Sequence, residues 1–250
     1  MKLGFLLLLC IFLPGNAAGE ERRSGYEFMS RETQAMQDDD ATNPAAIWLL
    51  DGQALWAKRA GKAGMACTDC HGAAEQGMKG VAARYPAYDA KLGRLLNLEQ
   101  RINACRTGRQ QAPALQYESR DLLSLSVLVA RQSRGFPIAV SKDAEKFLES
   151  GRRTYLLRQG QINLSCASCH DQNAGRSLAG APIPQAHPTG YPLYRLEWQA
   201  VGSLQRRLRN CLTGMRAQSY DFGAPELVEI ELYLMQRAAG MNMESPAVRP

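Results

Sequence analysis

This chain of 250 residues lacks any apolar run long enough to cross a bilayer. Its one marked apolar stretch, Leu3 to Leu13, has eleven residues, short of the roughly 20 that a spanning helix needs. That stretch follows Met1-Lys2 and precedes the small residues Asn16-Ala17-Ala18-Gly19, so it reads as a secretory signal peptide, 1–19, with the mature chain starting near Gly19 or Glu20. Leu9 before Cys10 is too large for a lipoprotein cleavage site, so no lipid anchor is expected. Clustered basic helices and base-stacking motifs are missing as well. The formal charge is +6, about +5 once Lys2 is removed, which points away from nucleic acid and toward small anions or an acidic partner. Alternating β-type runs are few, which argues against a sheet-based architecture. Histidine is scarce, with three in the whole chain. Cysteine is not scarce, but none is left over.

Six of the seven cysteines form the same signature twice, and the seventh, Cys10, falls in the signal stretch. Cys67-Thr68-Asp69-Cys70-His71 is followed by Cys105, and Cys166-Ala167-Ser168-Cys169-His170 by Cys211. A Cys-x-x-Cys-His segment reads as covalent attachment of haem c. Its two thiols, Cys67 with Cys70 and Cys166 with Cys169, add to the haem vinyl groups, and His71 or His170 binds iron from one side. A structural zinc site is the first alternative, but a histidine directly after the second cysteine is unusual there. A disulfide framework is natural for an even count in a secreted chain, yet it leaves the twin histidines unexplained. Two haems account for both. Haem is attached to such motifs outside the bacterial cytoplasm, in keeping with export.

The matches extend well beyond the motifs. At an offset of 99, Trp48 meets Phe147, Gly52 meets Gly151, Trp56 meets Tyr155 and Gly61 meets Gly160. At 106, Tyr85-Pro86 meets Tyr191-Pro192, Tyr88 meets Tyr194, Leu98 meets Leu204, Arg101 meets Arg207 and Thr107-Gly108 meets Thr213-Gly214. At 105, Asp121-Leu122 meets Glu226-Leu227. The chain is therefore two copies of one unit, with seven residues inserted after the second motif. Each copy predicts an N-terminal helix, Pro44 to Ala60 and Ser141 to Arg158, with Asp143 as a cap for the second. The aromatic, glycine, aromatic series in these helices puts the glycine where a partner helix approaches closely. A second helix carries the last cysteine, Lys91 to Thr107 and Leu196 to Thr213, stopped by Gly108 and Gly214. A closing helix follows, Ser119 to Arg131 and Pro225 to Arg237. Gly135 and Pro137 mark the boundary between units. The polar segment 20–43 is expected to be an arm over one unit, with Asp38-Asp39-Asp40 in solvent. The fold class is all-α: two tandem cytochrome c-like haem domains, 44–138 and 139–250, related by the repeat.

The second axial ligand must come from elsewhere. Methionine is the usual partner of histidine in electron-carrying c-type haems. None recurs in register: Met78 meets Ser177, Met215 meets Arg109, and the third histidine, His187, meets Val81. Among strong ligands only Cys105 and Cys211 recur, so His/Cys ligation is expected at both irons. A Cys105–Cys211 disulfide stands as the structural alternative. Thiolate ligation stabilises ferric iron and suits neither a generic shuttle nor oxygen binding. It also places a potential nucleophile beside the metal. Arg206, Arg207 and Arg209 precede Cys211, and Arg207 shares its helix face at i−4. Guanidinium groups bind small oxyanions through paired hydrogen bonds. The first unit has only Arg101, with Gln100 and Asn103 in place of the other two, so the second site suits a small dianion better. For Arg206 and Arg209 the expectation is solvated surface or contact with haem propionates.

These features resemble the SoxA family, the dihaem cytochrome subunits of SoxAX complexes. The likeness covers Ser24-Gly25-Tyr26-Glu27-Phe28, Gln37-Asp38-Asp39-Asp40 with Asn43-Pro44, both haem motifs, the Tyr-Pro segments and Arg207-Leu208-Arg209-Asn210-Cys211. It implies an L-cysteine S-thiosulfotransferase of the periplasm that couples thiosulfate oxidatively to a cysteine of SoxY in the carrier SoxYZ. Electrons then leave through the haem of a SoxX partner, in a heterodimer, to a soluble c-type cytochrome. By position, Cys211 ligates the second haem and is the active-site residue, held as a persulfide, and Arg207 binds substrate. Cys67, Cys70, His71 and Cys105 hold the first haem; Cys166, Cys169 and His170 the second. A plain dihaem electron carrier, and a dihaem peroxidase, are the competing classes.

Overall fold

The structure, a computed structural model, describes residues 21–250. The expected signal peptide and Cys10 lie outside the described residues. The arm carries α1 (Arg31–Asp38). The first unit then runs through α2 (Ala46–Ala57), the one-turn helices α3 (Thr68–His71) and α4 (Ala74–Gly77), a hairpin of β1 (Ala87–Asp89) and β2 (Arg94–Leu96), α5 (Leu98–Cys105) and α6 (Arg120–Arg131). The second unit repeats the order with α7 (Leu148–Leu156), α8 (Cys166–His170), a small hairpin of β3 (Ser177–Leu178) and β4 (Ala181–Pro182), a hairpin of β5 (Leu193–Arg195) and β6 (Ala200–Gly202), α9 (Leu204–Gly214) and α10 (Pro225–Arg237). A final strand, β7 (Ala247–Arg249), pairs in parallel with β5. Helices dominate and the strands form only short ribbons, so the all-α class with two cytochrome c-like units stands. No helix among the described residues is long and apolar enough to cross a membrane.

Each unit is built on one tight helix pair, α2 against α6 and α7 against α10. Glycine makes both pairs possible. A Cβ on Gly52 would stand 2.3 Å from the Ser124 carbonyl oxygen, and one on Gly151 2.1 Å from that of Glu229. The two units also clasp each other symmetrically. Trp48 of the first meets Tyr194 of the second with ring centroids 5.9 Å apart, and their repeat counterparts, Phe147 and Tyr88, meet at 5.8 Å.

Several expected boundaries shift, and in register. The helices carrying Cys105 and Cys211 begin at Leu98 and Leu204, not at Lys91 and Leu196. Asn97 and Ser203 take extended backbone and cap them, accepting from the amides of Gln100 at 2.9 Å and Arg206 at 3.1 Å, and the preceding residues pair as hairpins. Gly108 lies inside a π-turn over Arg106–Gln110, and Gly214 is the last residue of α9, so neither is the stop. The left-handed residues are Gln111 and Arg216, φ 53° and 54°. Their carbonyls accept from the amides of Lys62 and Gln161, both at 3.3 Å, just after the close-packed Gly61 and Gly160. Tertiary hydrogen bonding therefore does what the glycines were expected to do. The helix expected over Ser141 to Arg158 is a 3-10 segment, Lys142–Phe147, leading into α7; Ser141 holds the cap position and Asp143 lies in the first turn.

The arm does not rest on a single unit. Asn43 donates to the Pro246 carbonyl at 3.0 Å, and Gln37 accepts from the Val248 amide at 3.2 Å, tying the arm to the C-terminal strand. Asp40 is exposed as expected and also pairs with Arg131 at 2.6 Å and Arg134 at 3.2 Å from the first unit. Asp38 accepts from the Tyr26 hydroxyl at 2.7 Å.

Candidate active site

The second cysteine motif is held by a reciprocal cap. Ser165 accepts from the Ser168 amide at 3.2 Å, and the Ser168 hydroxyl accepts from the Ser165 amide at 3.1 Å. One turn of helix then carries Cys166, Cys169 and His170. In the first motif Asp69 plays this part, accepting from the Ala66 amide at 3.0 Å. His170 is oriented by its Nδ1, 2.6 Å from the Pro184 carbonyl oxygen. A carbonyl only accepts, so the proton is on Nδ1 and the Nε2 lone pair is free for a metal. Burial holds the His170 pKa below its usual value, with the Arg207 charge acting in the same direction, so the ring is neutral as a ligand must be. His71 is exposed, and its ring lies 5.7 Å from that of Trp56. The first motif is altogether more open, with Cys70 exposed where Cys169 is half-buried.

Cys211 comes to the second motif from α9. A cavity of about 430 Å³ is lined by Cys166, Cys169 and His170 together with Arg207 and Cys211, and Leu208, Ile230 and Leu234 contribute apolar walls. Burial pushes the Cys166 thiol up to about 12, and a negative charge on Cys211 adds to the rise. The same two causes, in the same order, raise Cys169. In the first unit burial raises Cys67, and Cys105 adds to it. Each downstream cysteine thus faces its own motif. All six described cysteines are free, so the Cys105–Cys211 disulfide alternative is not formed.

The donor set fits haem c. Each unit offers two thiols one turn apart, a histidine directly after them and a further sulfur; the second adds a free Nε2 and an apolar cavity. Among the described residues, no group of three or more His, Cys, Asp or Glu is gathered as a bare-metal site. Met215 also reaches the cavity wall, packed with Leu212 and Leu227, whereas its counterpart Arg109 is exposed and Met78 is buried in the first unit's helical core.

A smaller cavity, about 160 Å³, shares His170, Arg207 and Cys211 with the first and adds Tyr191, Arg195 and Arg249. Arg207 and Cys211 thus open onto the same space one helical turn apart. The other two arginines of the cluster have structural partners. Arg206 stacks 4.2 Å over Trp198 and lies 3.9 Å from Glu118. Arg209 stacks 4.5 Å over Phe222 and donates to the Tyr220 carbonyl. Both are therefore packing residues, not solvated ones. Sequence reasoning passed over Arg195 and Arg249. Arg195 was findable, since it is the repeat counterpart of Asp89; Arg249 carried no signal, because only the folding of the C-terminus onto β5 brings it in.

Known proteins resemble this chain in sequence and in fold. The family model for the SoxA/TsdA cytochrome c domain matches residues 51–138 and 150–243. The L-cysteine S-thiosulfotransferase subunit SoxA of Rhodovulum sulfidophilum is 39% identical over 232 residues, which cover 92% of this chain and 81% of that protein. The subunit of the same name from Pseudaminobacter salicylatoxidans is 32% identical over 233 residues, covering 92% and 82%. Among solved structures, SoxXA from P. pantotrophus matches with a TM-score of 0.88 at 31% identity, covering 92% of this chain and 87% of the other.

Proposed function

The chain belongs to the SoxA/TsdA cytochrome c family, as a SoxA, and on that premise we propose that it is the dihaem subunit of an L-cysteine S-thiosulfotransferase. It couples thiosulfate oxidatively to a cysteine of the carrier protein, SoxY of SoxYZ. It works in the periplasm as a heterodimer with SoxX, whose haem passes electrons to a soluble c-type cytochrome. The observation that carries this reading is the shared cavity of Arg207, Cys211 and His170.

Cys67, Cys70, His71 and Cys105 hold one haem c; Cys166, Cys169, His170 and Cys211 hold the other. When bound, haem would supply one-electron acceptance, so the two electrons that the coupling releases would leave singly through haem to the soluble c-type cytochrome. The chain's own residues do the rest. Arg207 neutralises the thiosulfate dianion through paired hydrogen bonds and aims its outer sulfur at Cys211, which is held as a persulfide. The apolar walls keep water from the reacting sulfurs. In the overall reaction a sulfur–sulfur bond forms between thiosulfate and the carrier cysteine, the carrier's S–H bond breaks, and its proton goes to solvent.

Arg207→Ala in the assembled complex tests this. Turnover with thiosulfate and carrier should fall by about 100-fold or more, as when an oriented electrostatic donor is removed, with the haem absorption unchanged. Normal turnover in that variant would take Arg207 out of the mechanism. Met215 in the cavity wall favours a second reading, a plain dihaem electron carrier. A methionine–iron charge-transfer band in the oxidised protein would establish that reading instead.

A further inference from the structure

The repeat supplies an internal control for the substrate site. The hairpins of the two units share one register, with Asp89 opposite Arg94 as Arg195 is opposite Ala200. Asp89 and Arg195 therefore occupy the same position of the fold. Arg101 and Arg207 also correspond, each one turn before the downstream cysteine, and so do Tyr85 and Tyr191.

In the first unit these three residues satisfy one another. Arg101 forms an ion pair with the Asp89 carboxylate and donates through Nε to the Tyr85 hydroxyl at 3.2 Å. Asp89 is itself fixed by the amides of Lys91 and Leu92, both at 2.9 Å. The second unit has lost the carboxylate and gained a cation in its place. Among the described residues, the Arg207 guanidinium and the Tyr191 hydroxyl have no hydrogen-bond or ion-pair partner. Arg195 is tucked in, its side chain 15% exposed, and its partner Glu197, 2.8 Å away, is 64% exposed and compensates it weakly. Arg249 is different, since it is matched by Glu244 at 2.8 Å and fixed by Gln37, so its charge is already answered. The second cavity thus keeps the arginine and the tyrosine of the first, adds a guanidinium and lacks an anion.

We propose that Arg195 is a specificity-determining residue: the sulfonate of thiosulfate takes the place that the Asp89 carboxylate holds in the first unit, lying between Arg207 and Arg195 beside the Tyr191 hydroxyl. This deepens the function proposed above and rests on it. Two guanidinium groups match a dianion with three terminal oxygens and match a monoanion poorly. The first unit is closed to such ligands by its own carboxylate. That is why one of two equivalent cysteines does substrate chemistry although both face a haem motif.

The test uses the full-length protein in its assembled complex, with KM and kcat for thiosulfate measured for Arg195→Ala, Arg195→Lys and Arg195→Asp. Losing one charge-assisted contact should raise KM roughly 10- to 100-fold in Arg195→Ala with kcat little changed. Arg195→Lys, which keeps the charge, should recover most of the affinity. Arg195→Asp rebuilds the ion pair of the first unit and should prevent saturation, with the haem spectrum of all three variants unaltered. An unchanged KM in Arg195→Asp, or an equal rise in Arg195→Lys and Arg195→Ala, overturns the proposal. If this occurs while Arg207→Ala still abolishes turnover, only the Arg195 inference falls. If Arg207→Ala is fully active as well, the proposed function falls with it.

Discussion

The Tyr155 hydroxyl donates to the Asp171 carboxylate at 2.7 Å and so pins the residue that follows His170. Arg237 donates to the same oxygen at 2.7 Å and lies 4.8 Å over the Tyr155 ring. The first unit does this with other chemistry: Trp56 donates Nε1 to the carbonyl of Gly72, the residue after His71, at 2.9 Å. Trp56 and Tyr155 are repeat counterparts, so in each unit a core aromatic fixes the exit of the haem motif. What the repeat preserves is the task of the side chain, not its identity. Tyr155→Phe leaves Asp171 with Arg237 alone. It should lower the unfolding free energy by about 1–2 kcal/mol, measured by denaturant titration of the haem-loaded protein. An unaltered midpoint would mean that Arg237 holds Asp171 unaided.

The crossing glycines give a sharper stability test. At Gly52 and Gly151 the nearest obstacle is a backbone oxygen of the partner helix, which no side-chain movement relieves. Gly151→Ala should cost about 1–3 kcal/mol by overpacking, and Gly52→Ala a similar amount. Gly108, in the π-turn after α5, is exposed, has nothing within 4 Å of an added Cβ and no left-handed backbone. Gly108→Ala should therefore be neutral or stabilise by up to about 1 kcal/mol. Equal losses at all three positions would show that the cost is not the helix crossing.

Sequence alone carried the repeat, the haem signatures, the crossing glycines and the pairing of Arg207 with Cys211, because each rests on short-range spacing or on one half matching the other. It misjudged where α5 and α9 begin. Lys91 to Leu96 and Leu196 to Gly202 have no helix-breaking run, and their hairpin pairing is settled by a capping residue and a tertiary turn. It gave no sign that Asp40, exposed as expected, also pairs with Arg131 and Arg134 about 90 residues away, a contact that no local pattern encodes. Arg195 lay within reach of the same halves-matching argument, as the place where an acid in one copy becomes a base in the other.

Cys105 and Cys211 occupy equivalent positions but are expected to respond differently to removal. Haem attachment is assigned to the Cys-x-x-Cys pairs, so Cys105→Ala and Cys211→Ala should each keep the intact mass of a protein carrying two haems. Each should change the absorption of its own haem through loss of the sulfur ligand. Thiosulfate coupling should vanish in Cys211→Ala and persist in Cys105→Ala. A mass showing haem loss in either variant would place that cysteine in the attachment itself.

The buried carboxyls between the units make stability depend on pH in a direction opposite to that of most acidic side chains. Glu99, in the first turn of α5, and Glu231, on α10, line one small cavity at the boundary, and Glu231 accepts from the Asn97 side chain at 3.3 Å. Burial pushes the Glu99 pKa up to about 7, helped by the charge of Glu118. Burial, and then Glu99 itself, push Glu231 well above the usual range. Between the unfolded value near 4.5 and the folded value near 7, the native state binds the extra proton at Glu99, so stability falls as pH rises through that window and stays reduced above it. The second unit shows the remedy, for the counterpart of Glu99 is the neutral Gln205, whose side chain accepts from the Gly223 amide at 2.7 Å. Glu99→Gln should remove the Glu99 share of this dependence and leave that of Glu231, which burial raises first. The unfolding free energy of the variant minus that of the parent should be larger at pH 8 than at pH 5, and subtracting the two proteins cancels carboxylates such as Asp89, whose lowered pKa acts with the opposite sign at lower pH. If that difference is the same at both pH values, Glu99 does not hold its proton in the native state and the boundary carries a paired charge instead.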